Sequence, residues 1–155
     1  MDSVRALLIS PEMLCILLPI ALWFYWPAPA ELVTTLIHGD LKWSFGAALI
    51  PFGFLATCYH FGTDVLFPEE GRSVLLAWPN YILLKTRVVM ALIYCVVAIL
   101  IVCVGIYWIA KTKSSFGTTL ILAGWFSSSA AIFSVALAKW KIRELLNDAP
   151  KLNVP

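Results

Sequence analysis

The sequence predicts an all-α integral membrane protein with four transmembrane helices and both termini in the cytoplasm. The third and fourth helices form a long antiparallel hairpin that protrudes into the cytoplasm. Three observations predict this. First, 61% of the 155 residues are hydrophobic and only 13% are charged, whereas a soluble domain is closer to half apolar and a quarter charged. A soluble fold this short could not hide that much apolar surface, so lipid has to be the solvent for most of the chain. Second, four apolar segments of helical character are separated by connections rich in proline, glycine and charge, giving one domain over residues 1–155 with spans at about 11–26, 43–59, 86–110 and 116–138. Third, lysine and arginine concentrate on one side of those spans: Arg5, Arg72, Lys85, Arg87, Lys139, Lys141, Arg143 and Lys151, against Lys42, Lys111 and Lys113. The richer side is cytoplasmic, and the membrane is read as the bacterial inner (cell) membrane.

Segment one begins at Ser10-Pro11-Glu12. Serine is a good N-cap, proline suits the first helical position, and an acid in the first turn complements the helix dipole. Glu12 is thereby assigned to a helix end rather than mid-bilayer. Residues 3–9 read as an interfacial lead-in, and Pro19 as a kink. The run Ala28-Pro29-Ala30 looks like a signal-peptidase site, but the apolar stretch before it is too long and too aromatic, so the helix is expected to be retained.

Pro27 and Pro29 break segment one. The following stretch carries Leu32, Val33, Leu36 and Ile37 at helical spacing, which predicts a short amphipathic helix on the membrane surface, ended by Gly39-Asp40. Segment two, interrupted by Gly46, Pro51 and Gly53, should be bent. A second connection follows over residues 60–78, with a surface turn at Pro68-Glu69-Glu70-Gly71.

Segment three starts at Pro79 and meets no breaker until about Ala110. That is about 48 Å of helix, against a hydrocarbon core of about 30 Å. The surplus lies at its start, as an overhang over about 79–86. Segment four runs from near Phe116 to about Leu146, with its surplus at the end, over about 139–147. The short connection Lys111 to Ser115 makes the two an antiparallel hairpin, so both overhangs emerge on one face as a water-exposed stalk. Trp26, Trp43 and Trp108 form one interfacial belt and Trp78 and Trp140 the other, while Trp125 is an exception inside a span.

The strongest pattern lies in segment four. Gly117, Gly124, Ala131 and Ala138 recur every seven residues, and Leu120, Ser127 and Ser134 follow three residues after the first three. In lipid, small residues mark close helix contacts, and a seven-residue period implies a left-handed crossing. The seam Gly117, Gly124, Ser127, Ala131, Ser134 and Ala138 faces either segment three or a second copy of the chain. Ser127-Ser128-Ser129 reads either as back-bonding to helix carbonyls or as the wall of a hydrated path. Lys85, Arg87, Lys139, Trp140, Lys141 and Arg143 form a surface for anionic lipid or a docked protein.

Other chemistry is sparse. Cys15, Cys58, Cys95 and Cys103 lie in apolar stretches without C-x-x-C spacing, and read as small buried hydrophobes. Cys95 and Cys103 share a helix face. His60 with Asp64, and His38 with Asp40, are histidine–carboxylate pairs without the further ligands a metal enzyme needs. No nucleophile elbow, zinc-protease motif or P-loop occurs. There is no basic stripe for nucleic acid, no ionisable residue expected in mid-span and no internal repeat, which argues against active transport.

The expected function is therefore a non-enzymatic, homo-oligomeric membrane subunit without a cofactor. It contacts the bilayer and copies of itself, and anchors or is controlled by a cytosolic protein. Small four-helix proteins serve this way as membrane components of bacterial anti-phage defence systems, an analogy of architecture alone. The alternatives are a channel lined by segment four, and a membrane enzyme using His60 and Asp64.

Overall fold

The structure, a computed structural model, describes residues 10–37, 41–67, 78–112 and 114–152. The expectations for residues 3–9, for the turn at 68–71, and for Arg5, His38, Asp40, Arg72 and Lys113 lie outside the described residues, as do the side chains of Lys42 and Lys151. Among the described residues there are five helices and no strand: α1 (Pro11–Tyr25), α2 (Ala28–Ile37), α3 (Leu41–Leu66), α4 (Tyr81–Thr112) and α5 (Ser115–Leu152). Two of them, α4 and the Ser115–Glu144 stretch of α5, are long and apolar enough to cross a membrane. The pair α1 and α2 reaches that standard only jointly, across a 98° bend.

α1 starts as its sequence dictates. Ser10 is in extended backbone and its hydroxyl accepts from the Met13 amide at 3.2 Å, which satisfies one of the free N–H groups of the first turn. Pro27, without an N–H, begins the bend, and its carbonyl accepts from Glu31 at 3.1 Å to open α2. Ala30 and Thr34 of α2 are buried and Leu32 is exposed. The inward face of α2 is thus its small and hydroxylic one.

Three boundaries differ from those expected. Segment two does not end at Tyr59 but continues as α3 to Leu66, because Phe61, Val65 and Leu66 prolong the apolar face that packs into the core. Pro79 is not the first helical residue. It lies with Asn80 in a turn, and the Asn80 carbonyl accepts the first helical bond from Leu84 at 3.1 Å. α5 runs to Leu152 rather than about Leu146, for 38 residues in all, or about 57 Å of helix.

α5 is the axis of the bundle and touches each of the other described helices. Its seven-residue seam faces α4. A Cβ on Gly117 would lie 2.7 Å from the Gly105 carbonyl oxygen, a Cβ on Gly105 would lie 2.7 Å from that of Gly117, and one on Gly124 would lie 2.9 Å from that of Ala98. The order Gly117 to Gly105 and Gly124 to Ala98 makes α4 and α5 antiparallel. α3 is antiparallel to α4, with Cys58 against Cys95, Gly62 against Val88 and Leu92, and the Tyr81 hydroxyl donating to the Val65 carbonyl at 3.1 Å. α1 lies along α5 from Ser134 to Ser115. The apolar core joins Cys58, Val65, Val88, Ala91, Cys95, Ala131, Val135, Ala138 and Ile142 of α3, α4 and α5.

Pro51 lies inside α3 and is fully buried. It has no N–H, so the carbonyl four residues earlier, that of Ala47, loses its helical donor. The Trp125 indole N–H donates to that carbonyl at 2.9 Å. This accounts for a tryptophan inside a helix apolar enough to cross a membrane: its polar edge satisfies a backbone group that lipid could not.

Two stability outcomes follow. Trp125→Phe, read by unfolding of the purified protein in mixed micelles, is expected to cost about 1–3 kcal/mol, the scale of leaving a buried acceptor unpaired. The cost falls in a Pro51→Ala background, where a backbone N–H returns to Ala47, so the two substitutions are non-additive. Gly124→Ala is expected to cost about 1–3 kcal/mol by overpacking, because the added methyl meets the Val102 side chain and the Ala98 backbone.

Candidate functional site

The features with chemical content lie at two places: the basic end of the bundle, and the polar contacts along α5. At the basic end, α4 contributes Lys85 and Arg87 from its first two turns, both exposed, and α5 contributes Lys139 to Glu144. The helical repeat sorts the α5 residues. Ile142 turns into the core, while Trp140, at 67% exposure, Lys141, Arg143 and Glu144 face outward. Lys141 pairs with Glu144 one turn on, at 2.7 Å. The Lys85 ammonium lies 5.9 Å from the Phe67 ring centroid, within cation–π range.

Lys139 differs from the other residues of the expected docking set. Its ammonium forms a salt bridge with the Asp64 carboxylate and sits 4.7 Å over the Phe61 ring. It therefore ties α5 to the end of α3 rather than standing free for a partner. The Lys139 hydrogen bond holds the Asp64 carboxyl below its ordinary value of 3.8, with further help from the charges of Lys139, His60 and Arg143 and partial opposition from burial. Asp64 is thus the partner of Lys139 across the bundle. His60 is exposed, with its ring 5.9 Å from that of Phe61. The end that the sequence presents as a two-helix stalk is consequently braced by a third helix, α3, at its base.

The small-residue seam is consumed inside the chain. Gly117 and Gly124 meet α4 directly, Ala131 and Ala138 belong to the shared core, and Ser127 is fully buried. Ser134 turns instead to α1, where its hydroxyl donates to Glu12 Oε1 at 2.5 Å. Glu12 is in a first turn, as expected, yet it is only 4% exposed. The serine triplet divides. Ser128 donates to the Gly124 carbonyl at 2.7 Å and Ser129 to that of Trp125 at 2.8 Å, the back-bonding pattern. The Ser127 hydroxyl is buried without a hydrogen-bond partner among the described residues.

At the opposite end, Trp23 donates from its indole to Ser115 at 3.2 Å and packs on Phe116, with centroids 5.0 Å apart. Phe116 also meets Trp108 at 6.0 Å, edge to face. Thr34 of α2 gives its proton to the Ala30 carbonyl, so Thr118 donates to Thr34 at 2.7 Å. Lys111 is exposed at this end. The described lysines and arginines with described side chains thus divide as five at the basic end against Lys111.

Sequence reasoning missed the cross-helix pairs, among them Glu12 with Ser134, Asp64 with Lys139, and Cys58 with Cys95, whose sulfurs are 3.6 Å apart. Only Asp64 carried a usable signal, since Phe61 and Val65 around it continue the helical apolar spacing of α3. No group of three or more potential metal ligands occurs among the described residues.

The Asp64–Lys139 pair has a defined pH signature. Because the native carboxyl is held low, the pair stabilises the fold above the ordinary carboxyl value, and that contribution is lost as pH falls through the lower native value. Both groups are partly exposed, so the contribution is below about 1 kcal/mol after solvent screening. The difference in thermal midpoint between wild type and Asp64→Asn is expected to be present at neutral pH, to shrink with added salt, and to vanish once the native carboxyl is protonated. Comparison with protein-family models, with curated proteins and with solved structures finds no match to this chain.

Proposed function

We propose that this chain is a non-enzymatic subunit of a bacterial inner membrane that anchors, or answers to, a cytosolic protein through its basic end. In this reading it crosses the bilayer four times, keeps both termini in the cytoplasm and associates with copies of itself. The observation that carries the reading is the mismatch between α5 and lipid. At about 57 Å, α5 exceeds the hydrocarbon core of about 30 Å, and the excess leaves through the end bearing Trp140, Lys141, Arg143 and Glu144.

Further features support the topology. α1 and α3 accompany the hairpin over its depth, each making contacts near both ends of its length. The concentration of lysine and arginine at one end favours that end as the cytoplasmic one. Exposed Leu, Val, Ile and Phe side chains occur on α1, α3, α4 and α5, as a lipid-facing belt requires. Self-association would use that belt, because the small-residue seam is already buried within the chain, against α4 at Gly117 and Gly124 and against α1 at Ser134. By architecture alone, the role matches that of membrane components in bacterial anti-phage defence systems.

A pore along α5 is the second reading, and the unpartnered Ser127 hydroxyl is what favours it. It requires conductance across planar bilayers that Ser127→Leu abolishes; no conductance from the reconstituted protein would remove it.

The main reading is tested by topology and by capture. Single cysteines at Arg143 and Lys111, in a background lacking the native ones, are expected to react with impermeant maleimide from the cytoplasmic and periplasmic sides respectively. In mild detergent the chain is expected to run as an oligomer and to retain a cytosolic protein that Trp140→Ala with Arg143→Glu releases. A partner-free monomer would count against the subunit role, and reversed labelling would overturn the orientation.

A further inference from the structure

We propose that Cys58 and Cys95 form a redox-active dithiol, which a lipid or alkyl hydroperoxide closes into a disulfide that locks α3 to α4. The two residues stand 37 positions apart in sequence, on antiparallel helices, with their sulfurs 3.6 Å apart and both side chains entirely buried. Both are free thiols. A disulfide has an S–S length of about 2.05 Å, so the sulfurs have about 1.5 Å to close, a distance within reach of side-chain rotation.

α3 also lies close on α4 one turn further along. One turn beyond Cys58, a Cβ on Gly62 would lie 3.1 Å from the Val88 side chain. The absence of that methyl lets α3 settle onto α4. Both cysteines belong to the buried apolar cluster that includes Val65, Val88, Ala91, Ala131 and Val135. Such surroundings disfavour a charged oxidant and favour an uncharged, lipid-soluble one. Cys103, exposed on the same helix as Cys95, has no such arrangement, and the four-residue spacing rules that identify a redox motif along a chain do not see a pair built across two helices.

The chemistry balances in two steps. One cysteine sulfur attacks the peroxide oxygen, forming an S–O bond as the O–O bond breaks, and the alcohol leaves with a proton. The second sulfur attacks the resulting sulfenic acid, forming the S–S bond as the S–O bond breaks, and water leaves with the second thiol proton. Both sulfurs are oxidised and the hydroperoxide is reduced to alcohol and water. Excess thiol reverses the product by exchange. The lock sits on the same helix as Asp64, less than two turns away, so it holds the helix that braces Lys139. The cross-link itself does not depend on the docking role.

The test uses the full chain in proteoliposomes exposed to cumene hydroperoxide, then denatured, alkylated and mapped by mass spectrometry without reduction. The expected product is a single intrachain link between the Cys58 and Cys95 peptides, lighter by two hydrogens and reversed by dithiothreitol. It should persist in the Cys15→Ala, Cys103→Ala double variant and be lost in Cys58→Ala and in Cys95→Ala. The wild-type map decides the matter even if a variant fails to fold. Oxidised wild type should also unfold at a higher denaturant midpoint than reduced protein. Cys58 and Cys95 remaining alkylatable while Cys103 is oxidised would overturn the proposal, as would their over-oxidation without a link, or a link to another chain.

Discussion

Close backbone contact between α4 and α5 is the constraint on which the rest of the molecule depends. At Gly105, Gly117 and Gly124 there is no room for a β-carbon, so the two helices meet along their main chains. In lipid the hydrophobic effect does not press helices together, and van der Waals contact at small residues has to do so. The seven-residue recurrence continues this small-residue face through Ala131 to Ala138, which are buried in the core shared with α3 and α4. With α4 occupying that face, the remaining faces of α5 receive α1, α2 and α3.

Each of those helices is then fixed by at least one polar contact with defined geometry. Glu12 and Trp23 tie the two ends of α1 to Ser134 and Ser115, Thr34 ties α2 to Thr118, and Ala47 and Asp64 tie α3 to Trp125 and Lys139. Burying a polar group without a partner is costly, so the contacts of Glu12, Thr34 and the Ala47 carbonyl choose among arrangements that apolar packing alone would leave nearly equivalent. The partly exposed Asp64–Lys139 pair adds a weaker, solvent-screened tie. The bond from Trp125 to the Ala47 carbonyl is the clearest case, since Pro51 creates the need on one helix and a side chain of another meets it.

The basic end combines bracing with display. Lys139 is drawn inward by Asp64 and Phe61, Ile142 is buried, and the intervening residues face solvent. Beyond Lys139, Ile142 is buried in the core and Leu146 packs against it, so α5 stays seated on the bundle there and holds Trp140 and Arg143 outward in a fixed direction.

The sequence by itself determined the all-helical class, the apolar hairpin of α4 and α5, the Ser10 cap and the small-residue face of α5. All of these rest on composition or on periodicity within one segment. Only the tertiary structure decided where that face points, that α3 continues to Leu66, and that Cys58, Glu12 and Asp64 have partners on other helices. The physical reason is that a helical repeat records which residues share a face but not which face of another helix it meets. Contacts such as Cys58 with Cys95 depend on the crossing geometry of whole helices, which glycine and proline positions set jointly along the bundle.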